Sequence, residues 1–255
     1  MVPEKKSHGF SATFLMFLAI ACSPLSFAAD IRMAPPNEAM DTSKLLVISG
    51  EIDSGDTESL INLIFSLSED QIPIQTLLLG PSAGGNVEEA MNIGFLVRTL
   101  KWKVIVLDYC YSACPLIALS GVYRVFAGDV GLHRPYFDPE FYEDTSPYYV
   151  EQWHRRINHQ VRTFLEDTYV PESIIEKMMS VSSREMWILS ASEADRTLSN
   201  FHPYFEEFIF GKCGDRPIDM PEYGMNSRCL HAEIIKMQRQ SLITFMKAVM
   251  EGKFR

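Results

Sequence analysis

The segment WKVIVLDYCYSACPLIALS (102–120) runs from an apolar stretch through a turn of small residues into a second apolar stretch of helical character. A short apolar run bounded by turn residues reads as a buried strand. Ser112 then stands where strand gives way to helix. The same grammar extends to both sides. LLVISG (45–50), IQTLLLG (74–80) and YRVFAG (123–128) are further apolar runs, each closed by glycine. Between them, Asp56–Leu67 places Leu60, Leu63, Ile64 and Leu67 on one helical face. Glu88–Leu100 does the same with Met91, Phe95 and Leu96 or Val97. This alternation predicts βαβ units and a mainly parallel sheet, an α/β fold. Working residues in such folds gather where strands run into helices. Three loops meet that description: Gly80–Val87, Asp108–Cys114 and Gly128–Arg134.

Each loop has a chemical reading and a plain one. Ser82-Ala83-Gly84-Gly85-Asn86-Val87 carries two glycines before a helix, which lets the backbone present N–H groups to an anion. It has neither a Gly-Lys-Ser/Thr ending nor a G-x-G-x-x-G pattern, and a tight turn is the plain alternative. Cys110-Tyr111-Ser112-Ala113-Cys114 sets a serine at a strand-to-helix junction, the place of a nucleophile elbow. A helix N-cap is the other common use of such a serine. Gly131-Leu132-His133-Arg134-Pro135 offers a histidine, the side chain suited to activate a serine, or simply a structural imidazole.

Gly85, Ser112 and His133 follow one another at spacings of 27 and 21 residues, each after a predicted strand. In this order the sequence resembles the Clp-protease proteolytic-subunit (ClpP) fold, the serine-peptidase branch of the crotonase-like superfamily. The family's Ser-Pro-Gly-Gly-x-Val oxyanion loop is similar to Ser82–Val87, with Ala83 in the proline's place. Its nucleophile turn is similar to Tyr111–Cys114, and its histidine-proline loop to His133-Arg134-Pro135. Exported bacterial members are the most similar. The resemblance spans about residues 44–198 and implies a repeated ββα/βαβ spiral. It makes Ser112 the nucleophile and His133 the general base, with the Gly85 and Ala113 N–H groups as oxyanion hole. The family's acid precedes a Ser-Ala-x-Glu-Ala helix start, matched here by Ser190–Ala194. Glu185 is the expected acid, although it is not an aspartate and stands one residue too far from that start. Asp195 is the next carboxylate to consider. A homo-oligomer acting on peptide or protein substrates, without cofactor, is what the resemblance implies.

Lys5 and Lys6 precede an apolar run, Phe10–Cys22, and Ser26 and Ala28 are small residues at −3 and −1 of a cut after Ala28. That is the pattern of a secretory signal. The run is too short for a permanent span, which needs roughly 18 apolar residues or more. Lipid attachment at Cys22 is the weaker alternative, because Ala19 replaces the usual leucine. The expected location is therefore periplasmic or secreted, with no membrane span after processing. Loss of residues 1–28 takes the net charge from −10 to −11 and the cysteines from five to four. An acidic chain without a basic stripe argues against nucleic-acid binding.

In an exported chain the four remaining cysteines are disulfide candidates. Cys110 and Cys114 bracket Ser112 and, if both were helical, would stand ~6 Å apart, within bridging range. Cys213 and Cys229 enclose a Gly/Pro-rich loop and pair most simply with each other. Three intervening residues between Cys110 and Cys114 do not match a redox motif, and a zinc site with His133 lacks a fourth ligand, so no metal is expected. Residues 1–28 read as signal peptide, 29–43 as leader, 44–199 as the catalytic-type domain and 200–255 as a stapled loop plus C-terminal helix, with 200–229 loop-like and His231–Met250 an amphipathic helix. Pro147 to about Met179 reads as helical with a break at Pro171, and Ser190–Leu198 as Ser-capped. The aromatic, acidic stretch Tyr136–Trp153 reads as a lid or as an interface. The functional expectation is an exported, ATP-independent serine hydrolase. A non-catalytic scaffold that binds a peptide or partner is the alternative.

Overall fold

In the computed structural model, which describes residues 28–37, 42–68, 71–137, 140–199, 202–214 and 227–253, the apolar runs become strands. An edge strand, β1 (Asp30–Met33), comes first. Three units of strand, short strand and helix follow. These are β2 (Leu45–Ser49), β3 (Glu51–Ile52) and α1 (Asp56–Ser66); then β4 (Thr76–Leu79), β5 (Gly84–Gly85) and α2 (Val87–Thr99); then β6 (Lys103–Val106), β7 (Cys110–Tyr111) and α3 (Cys114–Ala118). β8 (Tyr123–Phe126) and β9 (Val130–Leu132) lead into α4 (Glu140–Glu143), α5 (Pro147–Asp167) and α6 (Glu172–Ser180). β10 (Trp187–Leu189), α7 (Ala191–Leu198), α8 (Pro203–Cys213) and α9 (Ser227–Met250) complete the described chain.

The main sheet has the order β1-β2-β4-β6-β8, parallel from β2 to β8 with β1 antiparallel at the edge. Its register builds two buried rows, Leu46–Leu77–Val104–Arg124 and Ile48–Leu79–Val106–Phe126. The alternate positions Val47, Leu78, Ile105 and Val125 are half-buried, so burial follows the period of two of a sheet with one covered face. Past the bend at each strand end, the short strands form a second layer: β3 with β5, and β7 with β9 and β10. A single bridge, Ser82 to Cys110, joins the two groups. This layer carries the three loops of interest.

Arg124 is the exception in an otherwise apolar row. Its guanidinium donates to the carbonyls of Leu119, Thr168 and Leu198, at the C-terminal ends of α3, α5 and α7. Three helix ends, each with surplus carbonyls and partial negative charge, surround one buried cation. Burial pushes its pKa down to about 10, which still leaves it charged near neutrality.

Four expectations need correction. Residues 30–33, read as part of an unstructured leader (29–43), pair with β2 as β1, because Ile31 and Met33 pack onto the core. Within 200–229, read as loop, Pro203–Cys213 is helical, with Phe205 and Ile209 buried beside Val122 and Ile234. Pro203 sits at the first helical position, where proline is tolerated. Helix α3 begins at Cys114 rather than at Ser112. The C-terminal helix also starts earlier than its expected His231. The expected break at Pro171 separates α5 from α6, and Ser190 with Glu193 forms the capping box of α7. α9 docks through Gln238, which donates to Gln75 O and Lys101 O at the ends of β4 and β6 remote from the loops. The expected signal peptide lies outside the described residues save for Ala28.

His202, at the start of α8, is fully buried, and neither ring nitrogen has a hydrogen-bond partner among the described residues. Burial first, then the charges of Arg124, Arg98 and Lys101, push its pKa down to about 3. An unfolded histidine titrates near 6.5. The unfolded chain therefore takes up a proton below about pH 6.5 that the folded chain refuses. Stability from neutral His202 is complete above that pH and is lost as pH falls toward 3. We expect urea unfolding to show a loss of about 2 kcal/mol between pH 7 and pH 5 from this group. His202→Asn should remove that increment of pH dependence.

Candidate active site

Backbone hydrogen bonds stitch the three loops into one surface. Ser82 N donates to Tyr109 O (3.0 Å) and Tyr111 N to Ser82 O (3.0 Å), which joins the first loop to the second. Cys110 N donates to Asp129 O (2.8 Å) and Ser112 N to Gly131 O (2.9 Å), which joins the second to the third. The Gly-Gly pair is required by contact. A Cβ on Gly84 would lie 2.5 Å from Ser112 Cβ and 2.8 Å from Ala113 N. One on Gly85 would lie 2.1 Å from Ile52 O. Both residues also have positive φ, so the first loop can lie flat against the serine turn only as glycine.

Ser112 itself has φ +58°. A left-handed conformation costs a non-glycine residue roughly 1–2 kcal/mol, and it is the geometry of a strained strand-to-helix elbow. The N-cap use is not realised: Ala113 occupies that position of α3. Instead Ser112 Oγ lies 2.8 Å from His133 Nε2. His133, 6% exposed, has its Nδ1 2.9 Å from the carbonyl of Arg134. A carbonyl only accepts, so Nδ1 carries the proton and Nε2 is left to accept from the serine hydroxyl. Arg134 N in turn donates to Val181 O, which ties this loop to the end of α6.

Two backbone N–H groups belong to the residues packed around the serine turn. Ala113 N makes no hydrogen bond among the described residues. In a parallel ladder alternate N–H groups point to opposite sides. Asn86 N donates to Ile52 O, so Gly85 N–H points away from β3. Gly85 and Ser112 line one cavity of about 720 Å³ together with His133. One wall of it is apolar: Tyr136, Phe137 and Phe141 from the aromatic stretch, with Ile157, Val161 and Met178 from α5 and α6. The other carries Glu51, Asp53 and Glu88. Within Tyr136–Trp153, then, the first residues face the cavity, while Tyr148 and Tyr149 are exposed on α5.

Of the expected residues, Gly85, Ser112, Ala113 and His133 come together; Glu185 does not. Its side chain is exposed and makes no hydrogen bond to the imidazole, whose second nitrogen is already taken by Arg134 O. Asp195 is engaged elsewhere, accepting from Phe126 N and Ser199 Oγ. No acid therefore completes the pair among the described residues. Sequence reading missed the carbonyl, because any residue type can supply one. It also missed Glu51 and Asp53. These follow the end of β2, so the rule that selected the other three loops would have found a fourth at Gly50–Gly55.

Both expected disulfides are present, Cys110–Cys114 with Cα atoms 5.3 Å apart and Cys213–Cys229 with 5.7 Å. The first joins β7 to the start of α3 rather than two turns of one helix, and it closes a short loop around Ser112. Its sulfurs are thus not metal ligands, and no group of three or more His, Cys, Asp or Glu among the described residues is placed to hold a metal ion. No described helix is long and apolar enough to cross a membrane.

Compared with solved structures, the chain is similar to an Asn-to-Asp mutant of ClpP1 from Listeria monocytogenes. The TM-score is 0.47 and the identity 19%, over 62% of this chain and 90% of that one. No family model and no curated protein matches the chain.

The bridge around Ser112 gives a measurable expectation. A short closed loop is worth about 2 kcal/mol through the unfolded state. The double variant Cys110→Ser with Cys114→Ser should lose about that much in urea unfolding, and an unchanged midpoint would refute the bridge's contribution.

Proposed function

We propose that the protein is an exported, ATP-independent serine hydrolase of the ClpP-type, crotonase-like fold, acting on peptide or protein substrates as a homo-oligomer. The observation that carries this reading is the 2.8 Å contact between Ser112 Oγ and His133 Nε2 at a strained strand-to-helix turn. Oγ attacks the scissile carbonyl carbon as its proton passes to Nε2. The carbonyl oxygen becomes an oxyanion held by the N–H groups of Gly85 and Ala113, donors fixed in place before reaction. His133 then returns the proton to the leaving amine, and water repeats the sequence on the acyl-enzyme.

The Arg134 carbonyl performs part of the usual work of the acid. It selects the tautomer with Nδ1 protonated, which is the one that can accept from serine. It contributes a dipole rather than a full charge to the imidazolium that forms, so Glu185 is not required for the proton transfer. A fluorophosphonate should label the disulfide-intact protein at Ser112, read by mass spectrometry. Ser112→Ala abolishes the label, and His133→Gln slows it by about 10²–10⁴-fold, while Glu185→Gln leaves the rate within about twofold of wild type on the same scale. If the folded protein takes no label, the site is not catalytic and the scaffold reading replaces this one.

The two unlike walls of the cavity favour a substrate with an apolar side chain near the scissile bond and basic residues beside it. Glu51 and Glu88 form no ion pair among the described residues, and no lysine or arginine lines the cavity. Like charge is repelled from such a cleft and opposite charge is drawn in. Lys-flanked peptides should show kcat/KM about tenfold above Glu-flanked ones at low salt, converging as salt screens the cleft. Equal rates at low salt would refute the preference.

A further inference from the structure

We infer that Asp56 is the receptor for the α-ammonium group of a chain cut after Ala28. Asp56, the first residue of α1, is 1% exposed. Its Oδ2 accepts from two backbone groups, Asp53 N at 2.8 Å and Ala29 N at 3.3 Å. No lysine, arginine or histidine forms an ion pair with it among the described residues. The charged groups that bear on it, Glu89 and Asp53, are both acidic, and burial with these neighbours raises its pKa. A carboxylate in that setting lacks a counter-charge, although the N-terminus of α1 eases the deficit.

The chain itself supplies the missing cation. Ala28 is exposed, whereas Ala29 is half-buried against the core and Gly50, so the peptide bond between them is open on its N-terminal side and its nitrogen is held by the fold. Hydrolysis of the bond by a peptidase that cuts after small residues adds one water. It leaves a carboxylate on Ala28 and an amine on Ala29, which is protonated near neutrality. The nitrogen already within reach of Asp56 then carries a full positive charge, and a charge-assisted contact replaces a neutral one. The same Oδ2 holds Asp53 N–H, and Asp53 lines the cavity beside Ile52, against which Gly85 rests. Processing thus adds a charge at the foot of one wall of the site.

The inference rests on cleavage after Ala28 and not on catalysis, so its test is separate from labelling of Ser112. The protein recovered from a host that exports it should begin at Ala29 by terminal mass spectrometry; another terminus overturns the inference. In that protein the α-amine, followed by isotope-labelled reductive methylation across pH, should titrate at least about one unit above the usual 7.7–8.0. Asp56→Asn should return it to that range. Acetylating Ala29 keeps the N–H donor and removes the charge, so the fold survives the test. It should lower the thermal midpoint of the wild type by a few degrees and leave that of Asp56→Asn unchanged. An α-amine with an ordinary pKa, or an equal effect of acetylation in both proteins, would sink the inference.

Discussion

Ser112 can hold φ +58° only because every group around it is committed to keeping it there. Its N–H is bonded to Gly131 O, its neighbours Cys110 and Cys114 are bridged, and Gly84 lies directly under its Cβ. A strained residue persists when its surroundings over-determine it. Here those surroundings are the three loops themselves, stitched by main-chain hydrogen bonds that belong to the second layer of short strands. The large parallel sheet contributes indirectly: its strands set where each bend begins, and the bends set where the loops can meet.

The same layer explains why the candidate site is built from backbone as much as from side chains. The two N–H groups beside Ser112 and the carbonyl behind His133 are all main-chain atoms. Backbone donors need no rotamer to be frozen, so they are cheap to preorganise. They also depend wholly on local chain path. A glycine replaced by alanine at position 85 would have to displace Ile52 O, and with it the wall that carries Asp53.

How much of this was legible in the sequence follows from that division of labour. The strands β2, β4, β6 and β8 were readable because apolar runs closed by turn residues are a burial signal that survives without context. Ser112, His133 and the Gly-Gly loop were readable because they are special residue types at strand ends, supported by a family resemblance. The Arg134 carbonyl was not readable, since a main-chain acceptor leaves no residue signature. The helix Pro203–Cys213 was obscured by proline and glycine around it, and its burial of Phe205 and Ile209 depends on α9, far along the chain. The short strands β3, β5, β7 and β9 have two or three residues each, too few for any periodicity to register.

Two buried titratable groups, Arg124 and His133, share one solution, contact with main-chain carbonyls. Arg124 donates to three helix-end carbonyls. His133 leans on the carbonyl of its own neighbour. His202 has no such partner among the described residues and remains neutral, which makes it the acid-sensitive member of the set. Oriented carbonyls can satisfy a cation without burying a second charge, and so avoid the desolvation that a buried ion pair would add. They cannot serve an anion. Asp56 must look to N–H groups or to a cation, and the nitrogen of Ala29 is the one donor on its border whose charge the chain can change by being cut.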